Sequence, residues 1–243
     1  MLGRLFGRRE PGSQPASGGF ETRTIDPALH ARAKATADLI GPGIMGIASG
    51  ERGVHVESMF VALGAVAGYG CQIAARLAPP EAVVRDASRT PWAEAKGADG
   101  QTYFLGDAPN HYLLEGPESF WAVAAGTIGQ LGSAPPPDHL EIAAYVAGTI
   151  GGPDFGVIRF PAGTSAAHPS WHYLKALWPE VRNWLDQGGL VPTEWPVGFG
   201  ITAQIALLAA KDVIEPATGL GLTMEAATAM AKVDPACLSL RAD

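Results

Sequence analysis

The run from Ser58 to Ala75 carries no charged side chain and is rich in glycine and alanine. An uncharged stretch of this kind has roughly the minimum length of a membrane-spanning helix, about 18–20 residues, so it faces either lipid or a protein interior. Tyr69 and Gln72 lie inside it, and His55 and Glu57 come directly before it. These polar groups hold its mean hydropathy below that of a well-inserting span. The expectation is no transmembrane segment but a helix from about Val54 to Leu77, buried on every side. Gly64, Gly68 and Ala74 offer small surfaces where a second backbone can approach closely. With 47% apolar residues, a chain of 243 residues has enough apolar material to enclose such a helix in one core.

The flanking segments read mainly as helices. Asp26-Pro27 is an N-cap followed by the residue best tolerated at the first helical position; that helix should run to Ile40 and stop at Gly41-Pro42-Gly43. Pro117-Glu118 opens another, with Phe120, Ala124, Ile128 and Leu131 on one face, and Pro135-Pro136-Pro137 ends it. Leu140, Ala143, Ala147 and Ile150 mark the next, which Gly151-Gly152-Pro153 closes before a short extended run, Phe155 to Phe160. From Pro169 to Gln187 the stripe Trp171, Leu174, Trp178, Val181 and Leu185 is amphipathic, with a kink or break expected at Pro179. Helices from Pro196 to Val213 and from Pro216 to Lys232 complete the set. Two β-prone runs, Thr102–Leu105 and His111–Leu114, flank the turn residues Gly106–Asn110 and read as a hairpin.

The expected fold class is therefore mainly α: a multi-helix globular domain of about seven helices, with one small β-hairpin at about 101–115. Residues 1–22 mix Arg, Gly, Ser, Pro and Gln with few large apolar groups, and read as a disordered, flexible N-terminal tail. Residues 23–243 read as a single helical domain. Leu2, Leu5 and Phe6 with Arg4, Arg8 and Arg9 make the tail a weak membrane-surface candidate, too short for stable binding alone.

Charge and motif spacing remove several function classes. With 17 Lys and Arg against 24 Asp and Glu, the net charge of −7 argues against a nucleic-acid partner. Cys71 and Cys237 form neither a disulfide framework nor a metal pair, and no export signal is readable, which points to a cytoplasmic location. Gly41-Pro-Gly-Ile-Met-Gly46 satisfies the dinucleotide spacing, but it follows a helical segment where the fingerprint needs a strand. His168 and His172 have the i, i+4 spacing of metal ligands without the glutamate of a zincin, and His168 falls before the helix start. Ser165 near His168 has no identifiable orienting acid. Neither a metal nor a cofactor is expected.

Two polar clusters remain as candidate ligand-binding residues. His55 and Glu57 sit at the mouth of the buried helix, where Glu57 also favours the positive end of the dipole. Asp107, Asn110 and His111 sit at the expected hairpin tip, where turn capping explains Asp and Asn equally well. If the clusters meet, they make a pocket under the hairpin for a small molecule, with a carboxylate and an imidazole as acid and base. The competing and leading expectation is a soluble helical interaction protein, a homo-oligomer or the partner of another protein, associating through an apolar, Trp-containing surface.

Gly53-Val-His-Val-Glu57, Thr102-Tyr-Phe-Leu-Gly-Asp107, Leu177-Trp-Pro179 and Lys232-Val-Asp-Pro235 together resemble an uncharacterised family of bacterial proteins of proteobacterial type. The match runs over most of the chain from about residue 25. The resemblance implies a bacterial cytoplasmic origin and brings with it no activity, cofactor or site residue.

Overall fold

The computed structural model describes residues 25–78, 91–159 and 165–238. Within them the chain forms α1 (Pro27–Ile47), a short hairpin of β1 (Ser49–Gly50) and β2 (Gly53–Val54), and the central helix α2 (Val56–Leu77). A second antiparallel pair, β3 (Ala93–Lys96) and β4 (Thr102–Leu105), leads into a single α-helical turn, α3 (Asp107–Asn110), and a π-helical turn, His111–Glu115. The remainder is α4 (Phe120–Ala125), α5 (His139–Thr149), α6 (Ser170–Gln187), α7 (Trp195–Ala210) and α8 (Pro216–Met230). The fold is mainly α, with two small two-stranded sheets.

Every residue of α2 from Ser58 to Ala75 is buried, so the one helix among the described residues that is long and apolar enough to cross a membrane lies inside the fold. The reason is its contact with α8. A Cβ at Gly64 would run into the Thr223 carbonyl and the Ala226 methyl, and one at Gly68 into the backbone of Ala227. The two helices thus meet backbone to backbone, which glycine alone allows. Further along, Gln72 Nε2 donates to the carbonyls of Ala231 and Val233, both at 3.0 Å, satisfying acceptors that the end of α8 leaves open.

The other helices wrap this pair. Tyr69 meets Trp178 of α6 edge-on at 4.6 Å, and Trp178 meets Trp195 of α7 at 6.2 Å, so aromatic rings lock three helices together. Helix α1 lies on α6 and α7, α4 on α7, and α5 on α8. Arg159 pins the segment before residue 160 by reaching Glu141 of α5 and Glu225 of α8, each at 2.7 Å.

Several local expectations change. Helix α1 continues through Pro42 to Ile47, and α6 continues through Pro179. Both prolines are exposed, as are Asp38 and Lys175 four residues earlier, so water can serve the carbonyls the prolines leave unpaired. Ile40 and Ile44, buried one turn apart, hold α1 on course across the interruption. The helix expected up to Leu131 divides at Gly126 into α4 and a 3-10 turn, Ile128–Leu131. Residues 153–156 form turns in place of the extended run expected from Phe155.

The hairpin expected at about 101–115 is displaced. Thr102–Leu105 pairs backwards with Ala93–Lys96, and His111–Leu114 is not a strand. Tyr112, Leu113 and Leu114 are buried consecutively against α2 and α4, which the alternation of a half-buried strand does not permit. The turn of the hairpin is instead Gly97–Gly100: Gly100 has φ +79°, and Asp99 accepts from the Gln101 N–H and the Tyr103 hydroxyl. The tail expected over residues 1–22 lies outside the described residues.

The α2–α8 contact makes a direct prediction. Gly68→Ala forces a methyl group into the Ala227 backbone and is expected to destabilise the protein by about 3 kcal/mol. Gly41→Ala, where a Cβ meets nothing within 4 Å, is expected to be neutral or stabilising in the same urea titration.

Candidate functional site

The mouth of α2 is built by its own cap. His55 is the N-cap, and its Nδ1 accepts from the Ser58 backbone N–H at 3.3 Å and lies 2.9 Å from Ser58 Oγ. A ring nitrogen that accepts an N–H must hold a lone pair, so the proton of this imidazole sits on Nε2 and the Ser58 hydroxyl donates to Nδ1. Ser58 Oγ in turn accepts from the Ala167 N–H at 2.9 Å, which fastens the chain entering α6 onto the start of α2. One residue on, the His168 N–H donates to the Tyr173 hydroxyl at 3.2 Å.

These contacts frame an open cleft of about 690 Å³. Its walls are the end of α1, the β1–β2 hairpin, His55 and Ser58, with Ala167, His168 and Tyr173 opposite. Ile47, Ala48, Val54 and Ala167 supply apolar surface; Arg52, His55, His168 and Tyr173 supply polar groups. Glu57 Oε2 lies 3.6 Å from His55 Nδ1, the same nitrogen that Ser58 occupies. Serine and carboxylate therefore share one side of the ring, and the arrangement is not a nucleophile relay, which needs them on opposite nitrogens. His168 and His172 stack face to face with centroids 4.1 Å apart, an arrangement of parallel rings and not of lone pairs converging on one ion. Among the described residues, no group of three or more His, Cys, Asp or Glu is placed to hold a metal.

The second expected cluster lies elsewhere. The Cys71 thiol donates to the Tyr112 carbonyl at 3.6 Å, which places the π-helical turn beside the far half of α2, about 20 Å along its axis from Glu57. Asp107, Asn110 and His111 therefore lie apart from His55 and Glu57, at a second polar centre beside the far half of α2. Asp107 and Asn110 belong to a helical turn, which Gly106 at φ +122° allows to follow directly on β4.

At this second centre Asn110 Oδ1 accepts from Lys232 Nζ at 2.7 Å. Lys232 is 4% exposed, and burial pushes its amine down to about 8, against the opposing pull of Glu115. His139 of α5 stacks on Trp121 at 4.7 Å, and burial lowers it too, while Asp138 and Glu115 pull it up. The Lys232 carbonyl accepts from the Phe104 N–H at 2.8 Å, so the lysine joins β4, α3 and the end of α8. This is a buried polar connection between elements, and the cleft is the site open to a ligand.

Ser58, Arg52, Tyr173 and Lys232 carry no local signal of a role. Each is an ordinary residue whose role comes from a contact with a distant segment. His55 and Glu57 are readable from their place before the apolar run, and His168 from its spacing to His172.

Two measurements check this account. Ser58→Ala leaves the Ala167 N–H without its acceptor and His55 Nδ1 without the hydroxyl, and is expected to cost about 2 kcal/mol in urea unfolding. Lys232 and Cys71 make opposite contributions to pH dependence. The folded lysine loses its proton at a lower pH than the unfolded one, so its contribution rises with pH from about 8 to 10.5. Burial raises the Cys71 thiol, so the unfolded chain alone ionises above about 9 and stability falls there. Between pH 8 and 10, Cys71→Ala is expected to gain stability by about 2 kcal/mol, and Lys232→Met to lose it.

Comparison of the chain with protein-family models, with curated proteins and with solved structures finds no match, so the geometry of the cleft carries the functional reading.

Proposed function

We propose that this chain is a small-molecule-binding protein whose ligand occupies the cleft between the β1–β2 hairpin, the mouth of α2 and the start of α6. The observation that carries this reading is the cleft itself. Its volume of about 690 Å³ is of the size that encloses small ligands, and polar groups of different chemistry face it from an otherwise apolar wall. The neighbouring backbone is held in place by the Ser58–Ala167 and His168–Tyr173 hydrogen bonds, so the site is largely formed before a ligand arrives. A cytoplasmic location belongs to the same proposal, supported by Cys71 standing as a free, buried thiol. So does membership of the bacterial family that the chain resembles.

A second reading, self-association or binding to another protein, has its own support. Helix α7 has no charged residue along its length, yet Ile205 and Leu208 on its outer face are 43% and 55% exposed, and Val213 just beyond is 73% exposed. Exposed large apolar side chains on one helix commonly belong to an interface.

The two readings separate experimentally. In ligand-observed NMR with a fragment library, wild-type protein is expected to give hits that Ser49→Trp, which fills the cleft from its rim, abolishes without changing the circular dichroism. Hits that survive Ser49→Trp, or none at all, contradict the cleft reading. For self-association, light scattering is expected to show a dimer or larger species that Leu208→Glu returns to monomer; a wild-type monomer removes this reading.

A further inference from the structure

The chemistry facing the cleft is unbalanced, and the imbalance specifies a ligand class. Three donors lack protein acceptors. Arg52, at the tip of the β1–β2 hairpin, makes no ion pair with any described residue. The His55 Nδ1 lone pair is occupied by Ser58, which leaves the Nε2–H as the free donor of that ring. Tyr173 is the most telling. It is 1% exposed, and its hydroxyl oxygen accepts from the His168 N–H while its own proton finds no acceptor among the described residues. A buried O–H left without an acceptor is destabilising, and unlike the unpaired buried hydroxyls of Ser170 and Thr228, which are not among the lining residues, this one belongs to a residue that lines the cleft, where a ligand can complete it.

Against these donors stand two carboxylates. Glu57 lies on the Nδ1 side of His55, away from its free proton, and Glu51 shares the hairpin turn with Arg52. Glu51 opposes a second negative charge at the rim. The remaining walls, Ile47, Ala48, Val54 and Ala167, are apolar.

We infer that the cleft takes a small monocarboxylate with an apolar body, its carboxylate received by Arg52, the His55 Nε2–H and the Tyr173 hydroxyl and its body lying on the apolar walls. This inference rests on the cleft being a ligand site. A guanidinium offers paired donors that match the two oxygens of a planar carboxylate, while the imidazole and phenol each add one directed bond. The group completes the buried phenol and neutralises Arg52, and an uncharged ligand of the same shape does only the first. Glu51 stands beside Arg52 in the hairpin turn, so each further negative charge on a ligand meets like charge at the rim.

The test compares phenylacetate with phenylacetamide, which has the same shape and no charge, by titration of the full-length protein followed in amide NMR spectra. Phenylacetate is expected to bind at least about tenfold tighter than the amide, since hydrogen bonds to a charged acceptor are the stronger ones. Arg52→Gln, an exposed change, is expected to weaken phenylacetate far more than phenylacetamide and so to remove most of that preference, and Tyr173→Phe to weaken both. Equal binding of acid and amide overturns the carboxylate assignment and leaves the cleft reading standing. Binding of neither, with no shifts at residues 47–58, overturns both. An acid preference that persists in Arg52→Gln overturns the assignment of Arg52.

Discussion

The backbone contact between α2 and α8 at Gly64 and Gly68 is the constraint from which the rest follows. Two helices that close together leave no room for side chains between them, and the surrounding helices then seal α2 along its length. A helix sealed in this way can meet polar chemistry only where it begins and ends. Both polar centres are accordingly near its ends: the cleft around the His55 cap, and the Lys232–Asn110 connection beside the half that carries Cys71 and Gln72.

The two centres differ in how far the protein satisfies its own polar groups. At the far end, Lys232 donates to Asn110 within electrostatic reach of Glu115, and Gln72 closes the carbonyls beyond α8. The donors there find acceptors, although Gln72 Oε1 finds none, and the result is a connection between chain segments. At the near end, the His55 and Ser58 hydrogen bonds fix the backbone but leave donors facing open space. A site that is rigid in its frame and incomplete in its hydrogen bonding is preorganised for something else to complete it.

The central helix was legible because its evidence is local: an uncharged run with small residues at positions where a partner backbone can fit. The Asp26 and Pro216 helix starts were legible for the same reason, since caps act within one turn. Pro42 misled because the cost of a proline depends on whether its unpaired carbonyl reaches water, which is a property of the finished surface. The hairpin was misplaced because Thr102–Leu105 has two possible neighbours in sequence, and the choice was made by the burial of Tyr112 to Leu114 against α2. Of the site, His55 was readable from its place before an apolar run. Tyr173 and Ser58 were not, since their partners are the backbone N–H groups of His168 and Ala167, and nothing in the local pattern marks which side chain those amides will find.

The central claim is that the cleft at the mouth of α2 is a ligand site whose donors await an acceptor. It is tested most directly by a crystal structure of the protein soaked with phenylacetate. The carboxylate is expected between Arg52 and the Tyr173 hydroxyl, with the ring against Ile47 and Val54. A cleft that remains solvent-filled at saturating ligand, or one in which the Tyr173 hydroxyl donates to a protein group, would contradict it.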